Sequence, residues 1–101
     1  MRIVFALLLC VTGIFSPVAL ADKAAGQSTY ASRGCIGCHG ASGISTNSAY
    51  PSLKGKSEEY IRKNLSDYRN GARKNAVMNA MAAGLSDRDI YNLGSYIGSL
   101  K

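Results

Sequence analysis

The residues Cys35-Ile36-Gly37-Cys38-His39 decide how this chain is expected to fold. A Cys-x-x-Cys-His run is the attachment site of c-type haem. Two thiols one helical turn apart can add across the two vinyl groups of one porphyrin, and the histidine that follows can bind the iron as its proximal ligand. The sequence therefore predicts one haem c, bound covalently through Cys35 and Cys38, with His39 as a metal ligand.

Three other uses of these residues each have different requirements. A thioredoxin-like redox pair lies in a βαβ context, but the chain after its N-terminal segment has no alternating β-branched run. A zinc site normally has four ligands, but that part of the chain holds only two cysteines and one histidine. Buried structural cysteines would leave the adjoining histidine unexplained. Haem attachment accounts for all three residues.

The first 21 residues are typical of a cleaved secretory signal peptide. Arg2 supplies the positive end, Ile3–Phe15 is apolar, and Ala19-Leu20-Ala21 matches a cleavage site. The apolar stretch is shorter than the roughly 20 residues of a membrane span. We therefore expect residues 22–101 to form a single domain in the periplasm with no membrane span, an uncleaved N-terminal anchor being the alternative.

Size and charge narrow the function of this domain. A chain this short buries little apolar surface, so the haem is expected to form its core, with three or four helices around it. The full chain carries a formal net charge of +6, but its basic residues are scattered along the chain and form no long run. This pattern indicates either a solvated surface or a docking face for an acidic redox partner. No nucleic-acid partner is expected.

Capping residues predict the helices. The first covers Asp22–Arg33 with its first residue as N-cap, the second covers Ser57–Asn70, and the last begins at Ser86 in a capping box with Asp89. Gly26 within the first helix is unfavourable unless another helix lies close, which indicates a tight crossing.

The stretch Gly40–Lys56 is rich in Gly, Ser and Asn and is predicted to be a loop over one haem edge. Pro51 within it has no N–H but keeps its carbonyl. That carbonyl is a candidate acceptor for the second ring nitrogen of His39, since iron-ligating histidines usually have such a partner. An ordinary turn proline is the alternative.

The sixth iron position has three candidate states. His39 is the only histidine, which excludes a bis-histidine haem within a monomer. A methionine ligand would suit an electron carrier, whereas a weak ligand or an open site would suit a sensor or a gas-binding protein. Met78 and Met81 are the only methionines after the signal segment, and each could instead be ordinary core packing.

Together these features resemble a class I cytochrome c, in particular the small bacterial c-553 type and single halves of dihaem cytochrome c4. The resemblance rests on the signal segment, Gly26 with Tyr30, Cys35-Ile36-Gly37-Cys38-His39-Gly40, Tyr50-Pro51-Ser52-Leu53-Lys54-Gly55, a methionine-containing loop, and Leu85-Ser86-Asp87-Arg88-Asp89-Ile90.

The resemblance implies an all-α fold in which the first and last helices cross near Gly26 and Tyr96. It also implies His39 and a methionine as axial ligands, with the Pro51 carbonyl steadying the histidine. The ligand methionine of such proteins usually stands seven residues before the Leu of Leu-Ser-Asp, which indicates Met78 rather than Met81.

In function, the resemblance implies a monomeric periplasmic carrier of single electrons that is not an enzyme. Its expected partners dock at the haem edge and are a quinol-oxidising complex or dehydrogenase and a terminal oxidase or reductase. Two alternatives remain: a dedicated haem subunit of a larger oxidoreductase, and a haem sensor with an open sixth site.

Overall fold

The computed structural model describes residues 21–101. Within this range the regular structure is entirely helical, as expected for an all-α fold. The predicted signal segment lies outside the described residues except for its last residue, Ala21. The helices are α1 (Lys23–Ser32), α2 (Cys35–His39), α3 (Glu58–Asn70), α4 (Ala76–Ala83) and α5 (Asp87–Gly98).

Helix α1 begins and ends where its capping residues predict. The side chain of Asp22 accepts a hydrogen bond from the backbone N–H of Ala25 at 3.1 Å, which satisfies one of the free donors of the first turn. Beyond its last residue the chain reaches Gly34, whose φ of +78° is a conformation that favours glycine. The predicted first helix is confirmed.

Helices α3 and α5 are confirmed in the same way. Ser57 Oγ accepts from the N–H of Tyr60 at 3.1 Å, and α3 ends before Gly71. Ser86 and Asp89 form the predicted capping box, with both hydrogen bonds at 3.0 Å. Asp89, whose side chain is one carbon shorter than that of the usual Glu, therefore completes the motif.

The described residues contain five helices, more than the three or four expected. One extra helix is α2, because the Cys-x-x-Cys-His residues themselves form one turn. The other is α4, and the expectation of a methionine-containing loop is corrected here, since Met78 and Met81 lie on this helix. The loop expected over residues 40–56 is confirmed, because no helix interrupts it.

Helices α1 and α5 cross in direct contact at Gly26. A Cβ at this position would lie 2.6 Å from the carbonyl carbon of Asn92 and 2.8 Å from Cβ of Tyr96, so any side chain would force the helices apart. Next to it the rings of Tyr30 and Tyr96 pack with centroids 5.5 Å apart and planes inclined by 54°. The predicted crossing is confirmed.

The core lies between α1, α3 and α5. Each large side chain buried here contributes roughly 1.5–3 kcal/mol. Its members are Tyr30, Ile61, Leu85, Ile90, Leu93, Tyr96 and Ile97. On one side this core opens into a cavity, and α2, α4 and the 40–56 loop complete the cavity wall. Among residues 21–101, no helix has the length and apolar character needed to cross a membrane.

Candidate haem site

The backbone of α2 is fixed at both ends by glycines. Gly34 precedes it, and Gly40 ends it with φ of +84° while donating its N–H to the carbonyl of Ile36 at 2.9 Å. A Cβ on Gly40 would lie 2.7 Å from the carbonyl carbon of Ile44. Gly40 is therefore required by the chain itself, before any ligand is considered.

Cys35 and Cys38 are both half-buried, and both thiols are free. The two side chains border the same cavity. Burial raises the pKa of the Cys35 thiol above its usual value. A free pair on one helical turn, facing a cavity rather than each other in a disulfide, is the arrangement that covalent attachment to a porphyrin requires.

The cavity has a volume of about 280 Å³, and all five helices contribute to its wall. Most of the wall is apolar or aromatic, as is usual for cofactor sites. On α3, the side chains of Ile61, Leu65 and Tyr68 border this space. Ile61 also belongs to the core, and Leu65 packs against it.

His39 is only 8% exposed and borders the cavity. Its Nδ1 lies 2.7 Å from the carbonyl oxygen of Pro51. A carbonyl can only accept, so Nδ1 carries the proton and donates, which leaves the lone pair of Nε2 for a metal. The predicted contact between His39 and Pro51 is present.

Both candidate methionines border the cavity from α4. Met78 is half-buried, whereas Met81 is 39% exposed. The backbone N–H of Met78 donates to Oδ1 of Asn75, the N-cap of α4, at 3.0 Å. Met78 therefore lies in the capped first turn of the helix, and the choice between the two remains a prediction.

The hydroxyl of Tyr30 has a role that the sequence did not reveal. It donates to the carbonyl of Gly40 at 2.6 Å and so joins α1 to the end of α2. Burial, with smaller contributions from Cys35 and Tyr96, raises the pKa of Tyr30 to about 12. The spacing of Gly26 and Tyr30 indicated a helix crossing, but nothing in it pointed to this hydrogen bond.

The cavity wall is positive. It includes Arg33 and Arg73, and among its residues in the described part of the chain there is no Asp or Glu. The guanidinium of Arg73 lies over the ring of Tyr68 at 5.0 Å, and Nζ of Lys56 lies over the ring of Tyr60 at 5.1 Å. We call Arg33, Lys56 and Arg73 the basic rim.

These residues fit a haem c. Two free thiols, a histidine with one ring nitrogen held by a carbonyl, and methionine thioethers all border one apolar cavity. The zinc alternative finds no support in residues 21–101, where no cluster of three or more His, Cys, Asp and Glu side chains could hold a metal ion. The thioredoxin alternative likewise lacks its strands in this range.

Comparison with known proteins agrees with this chemistry. The cytochrome c family model matches residues 23–101. Cytochrome c-554(548) of Halomonas halodenitrificans is 40% identical over 81 residues, which cover 77% of this chain and 95% of that protein. The cytochrome subunit of sulfide dehydrogenase from Chlorobaculum tepidum is 44% identical over 66 residues, 65% of this chain and 59% of that one.

A solved structure extends the likeness to the fold. Cytochrome c4 of Acidithiobacillus ferrooxidans matches with a TM-score of 0.73 and 26% identity, over 84% of this chain and 53% of that chain. The chain thus spans nearly all of one relative but only about half of this structure. Sequence, fold and cavity agree: the chain belongs to the cytochrome c family and transfers electrons by way of one haem c bound covalently through Cys35 and Cys38.

Proposed function

We propose that this chain is a periplasmic carrier of single electrons, that it is not an enzyme, and that His39 and Met78 are the axial ligands of its iron. The observation that carries the proposal is the 2.7 Å contact between His39 Nδ1 and the Pro51 carbonyl, beside a cavity that both cysteines and Met78 border. When bound, haem c supplies an iron that holds or releases one electron.

His39 is suited to stay on the iron in both redox states. The Pro51 carbonyl fixes the ring orientation and the tautomer, and it increases the basicity of the ring nitrogen that faces the metal. Because the ring is buried, competing water is kept from it. A ligand held in this way moves little when the charge on the metal changes, which favours fast electron transfer.

Met78 is proposed as the second ligand because its turn of α4 is fixed at the N-cap and its side chain is the less exposed of the two methionines. A thioether there would raise the reduction potential and block exogenous ligands. Met81 would then complete the wall as an adaptable apolar side chain.

The test is the weak near-infrared sulfur-to-iron band of the ferric holoprotein. Met78→Ala should abolish this band and let the ferrous protein bind carbon monoxide, while Met81→Ala should keep the band. If Met81→Ala abolishes the band and Met78→Ala keeps it, Met81 is the iron ligand. If the unaltered protein shows no such band, the chain fits the alternative of a sensor with an open sixth site.

The partner is proposed to be a redox enzyme that presents an acidic face to the basic rim. In the described part of the chain, Lys56 and Arg73 of the basic rim are in none of the four ion pairs, whereas Arg33 lies 4.0 Å from Asp89, so the first two residues carry most of the charge offered for docking. Exposed apolar side chains at the cavity, such as Tyr60 and Val77, would provide close contact. Such complementarity mainly raises association rates.

Two charge reversals test this docking face. Lys56→Glu should slow electron transfer with the physiological partner and flatten its dependence on ionic strength. Lys56 lies over the ring of Tyr60, a residue of the cavity wall, whereas Lys23 lies on α1 and has no such contact with the wall, so Lys23→Glu makes the same charge change and should have a smaller effect. Equal effects of the two variants would refute docking at the rim.

A second candidate is a permanent haem subunit of a dehydrogenase. The observation that favours it is the 44% identity to a protein described as the cytochrome subunit of sulfide dehydrogenase. Purification from the native source distinguishes the two: a free carrier elutes alone as a monomer, whereas a subunit elutes at a fixed ratio with a catalytic chain.

Export is proposed to depend on residues 1–21. Their pattern of a positive residue, an apolar stretch and an Ala-x-Ala end supports cleavage after Ala21. Mass spectrometry of the periplasmic holoprotein should give the mass of residues 22–101 plus one haem. A mass that includes the first 21 residues would indicate an uncleaved anchor.

A further inference from the structure

The side chain of Asn79 joins three parts of the chain at once. Its Nδ2 donates to the carbonyl of Tyr68 in α3 and to the carbonyl of Arg73, both at 2.8 Å. Its Oδ1 accepts from the backbone N–H of Asn75 at 2.9 Å. The last turn of α3, the connection after it and the first turn of α4 are thereby held together by one half-buried amide.

We infer that Asn79 is a positioning residue that keeps Met78 on the iron. Met78 lies in the turn that Asn79 fixes, and its own N–H is held by Asn75 Oδ1 at 3.0 Å. Asn75 in turn is bonded to Asn79 twice: its backbone N–H donates to Asn79 Oδ1, and its carbonyl accepts from Asn79 N–H at 2.7 Å. The inference rests on the proposed function, because it takes Met78 as the axial ligand.

The position of the amide bonds explains why they should affect ligation. A methionine leaves the metal more readily when its segment of backbone can move away, and here that segment is tied to α3 through Tyr68 and to the preceding connection through Arg73. Because both tied atoms are backbone carbonyls, no rotation of a neighbouring side chain can release them. Movement of the first turn of α4 therefore requires the Asn79 bonds to break.

Asn79→Ala in the holoprotein is the test, with cyanide binding to the ferric form as the probe of the Met-detached state. Each hydrogen bond is worth about a factor of five in an equilibrium, so the loss of the two donor bonds to Tyr68 and Arg73 should raise the population of the detached form, and with it the cyanide binding rate, about 25-fold. Asn79→Asp keeps the acceptor but loses both donors and puts a carboxylate oxygen against the carbonyls of Tyr68 and Arg73, so it should raise the cyanide binding rate at least as much as alanine does.

The matched control is Asn70→Ala. Asn70 has the same side chain and bonds to the same connection, through Ala72 N–H at 2.8 Å, but its amide has no hydrogen bond to α4. It should leave the cyanide rate and the near-infrared band unchanged. Far-ultraviolet circular dichroism and haem content establish that each variant is folded.

Two outcomes separate this inference from the proposed function. If Met78→Ala opens the site to cyanide but Asn79→Ala behaves like Asn70→Ala, the positioning role is refuted and the ligand assignment stands. If Met78→Ala leaves band and rate unchanged, the ligand assignment itself fails. If Asn79 acts through Met78, the double variant Met78→Ala/Asn79→Ala should bind cyanide no faster than Met78→Ala alone. A further increase in the double variant would refute the positioning role.

Discussion

Replacing Gly26 by alanine tests whether the crossing of α1 and α5 holds the fold together. The new Cβ would point at the backbone of Asn92, 2.6 Å from its carbonyl carbon and closer still to its oxygen, with Cβ of Tyr96 at 2.8 Å. None of these atoms can rotate away. The helices must therefore separate, which weakens the Tyr30–Tyr96 contact and the 2.8 Å hydrogen bond from Asp22 N–H to Asn92 Oδ1.

The expected magnitude follows from two opposing effects. Overpacking against a fixed backbone costs about 3 kcal/mol, the upper end of the usual range. Alanine regains about 1 kcal/mol of helix propensity over glycine. The net loss in the free energy of unfolding should be about 2 kcal/mol, or about 10 °C in Tm for a domain of this size.

Guanidinium unfolding of the ferric holoprotein, followed by circular dichroism, measures this loss. Gly94→Ala is the matched control, since the atoms nearest to its Cβ belong to the side chain of Arg62, with Cγ at 2.7 Å, and not to the backbone of another helix. Gly94→Ala should cost less than Gly26→Ala, because the Arg62 side chain can shift at the expense of its bonds to Tyr91 and Ser95 while the helices stay in place. If Gly26→Ala is no more destabilising than Gly94→Ala, close helix contact does not explain the glycine.

Three further outcomes are expected. Tyr30→Phe should lower the free energy of unfolding by about 1–2 kcal/mol at pH 7, because the Gly40 carbonyl loses its donor. Folding raises the pKa of Tyr30 from about 10 to about 12, so the folded state favours the protonated phenol. The contribution of Tyr30 to stability is therefore full below pH 10 and declines between pH 10 and 12. The difference in unfolding free energy between wild type and Tyr30→Phe, measured by urea unfolding, should shrink over that interval, and a constant difference would contradict the burial argument. Ser86→Ala should lower the free energy of unfolding by about 1 kcal/mol through loss of the N-cap of α5. The hydroxyl of Ser99 donates only to the Tyr96 carbonyl, so Ser99→Ala should cost less when both variants are compared in thermal melts. Pro51→Ala should leave the 2.7 Å contact and the reduction potential nearly unchanged, because the acceptor is a backbone carbonyl; a shift of the potential as large as that of Met78→Ala would show that the proline ring itself is needed.

The parts of the fold that the sequence could predict are those whose signals are local. The caps at Asp22, Ser57 and Ser86 act on N–H groups three residues away, so each can be recognised without knowing the rest of the structure. The contact of His39 with Pro51 was also predictable, because the ligand chemistry demands a partner and the loop offers a carbonyl.

The features that the sequence did not reveal depend on distant backbone. Helix α4 has few polar residues to mark an outer face, although Asn75 is a recognisable cap. The bonds of Asn79 end on the carbonyls of Tyr68 and Arg73, and every residue has a carbonyl, so no pattern of side chains announces them. The same holds for the Tyr30 hydroxyl and the Gly40 carbonyl.

The crossing of α1 with α5 also has a consequence for the order of events in biogenesis. The hydrogen bond from Asp22 N–H to Asn92 Oδ1 spans 70 positions, so the two helices that close this domain are the first and the last of those described. Contacts of such long range slow folding, because a loop of about 70 residues must close before they form. The crossing cannot form before α5 has been synthesised, and until then the cavity that the thiols of α2 border lacks the part of its wall that α5 supplies.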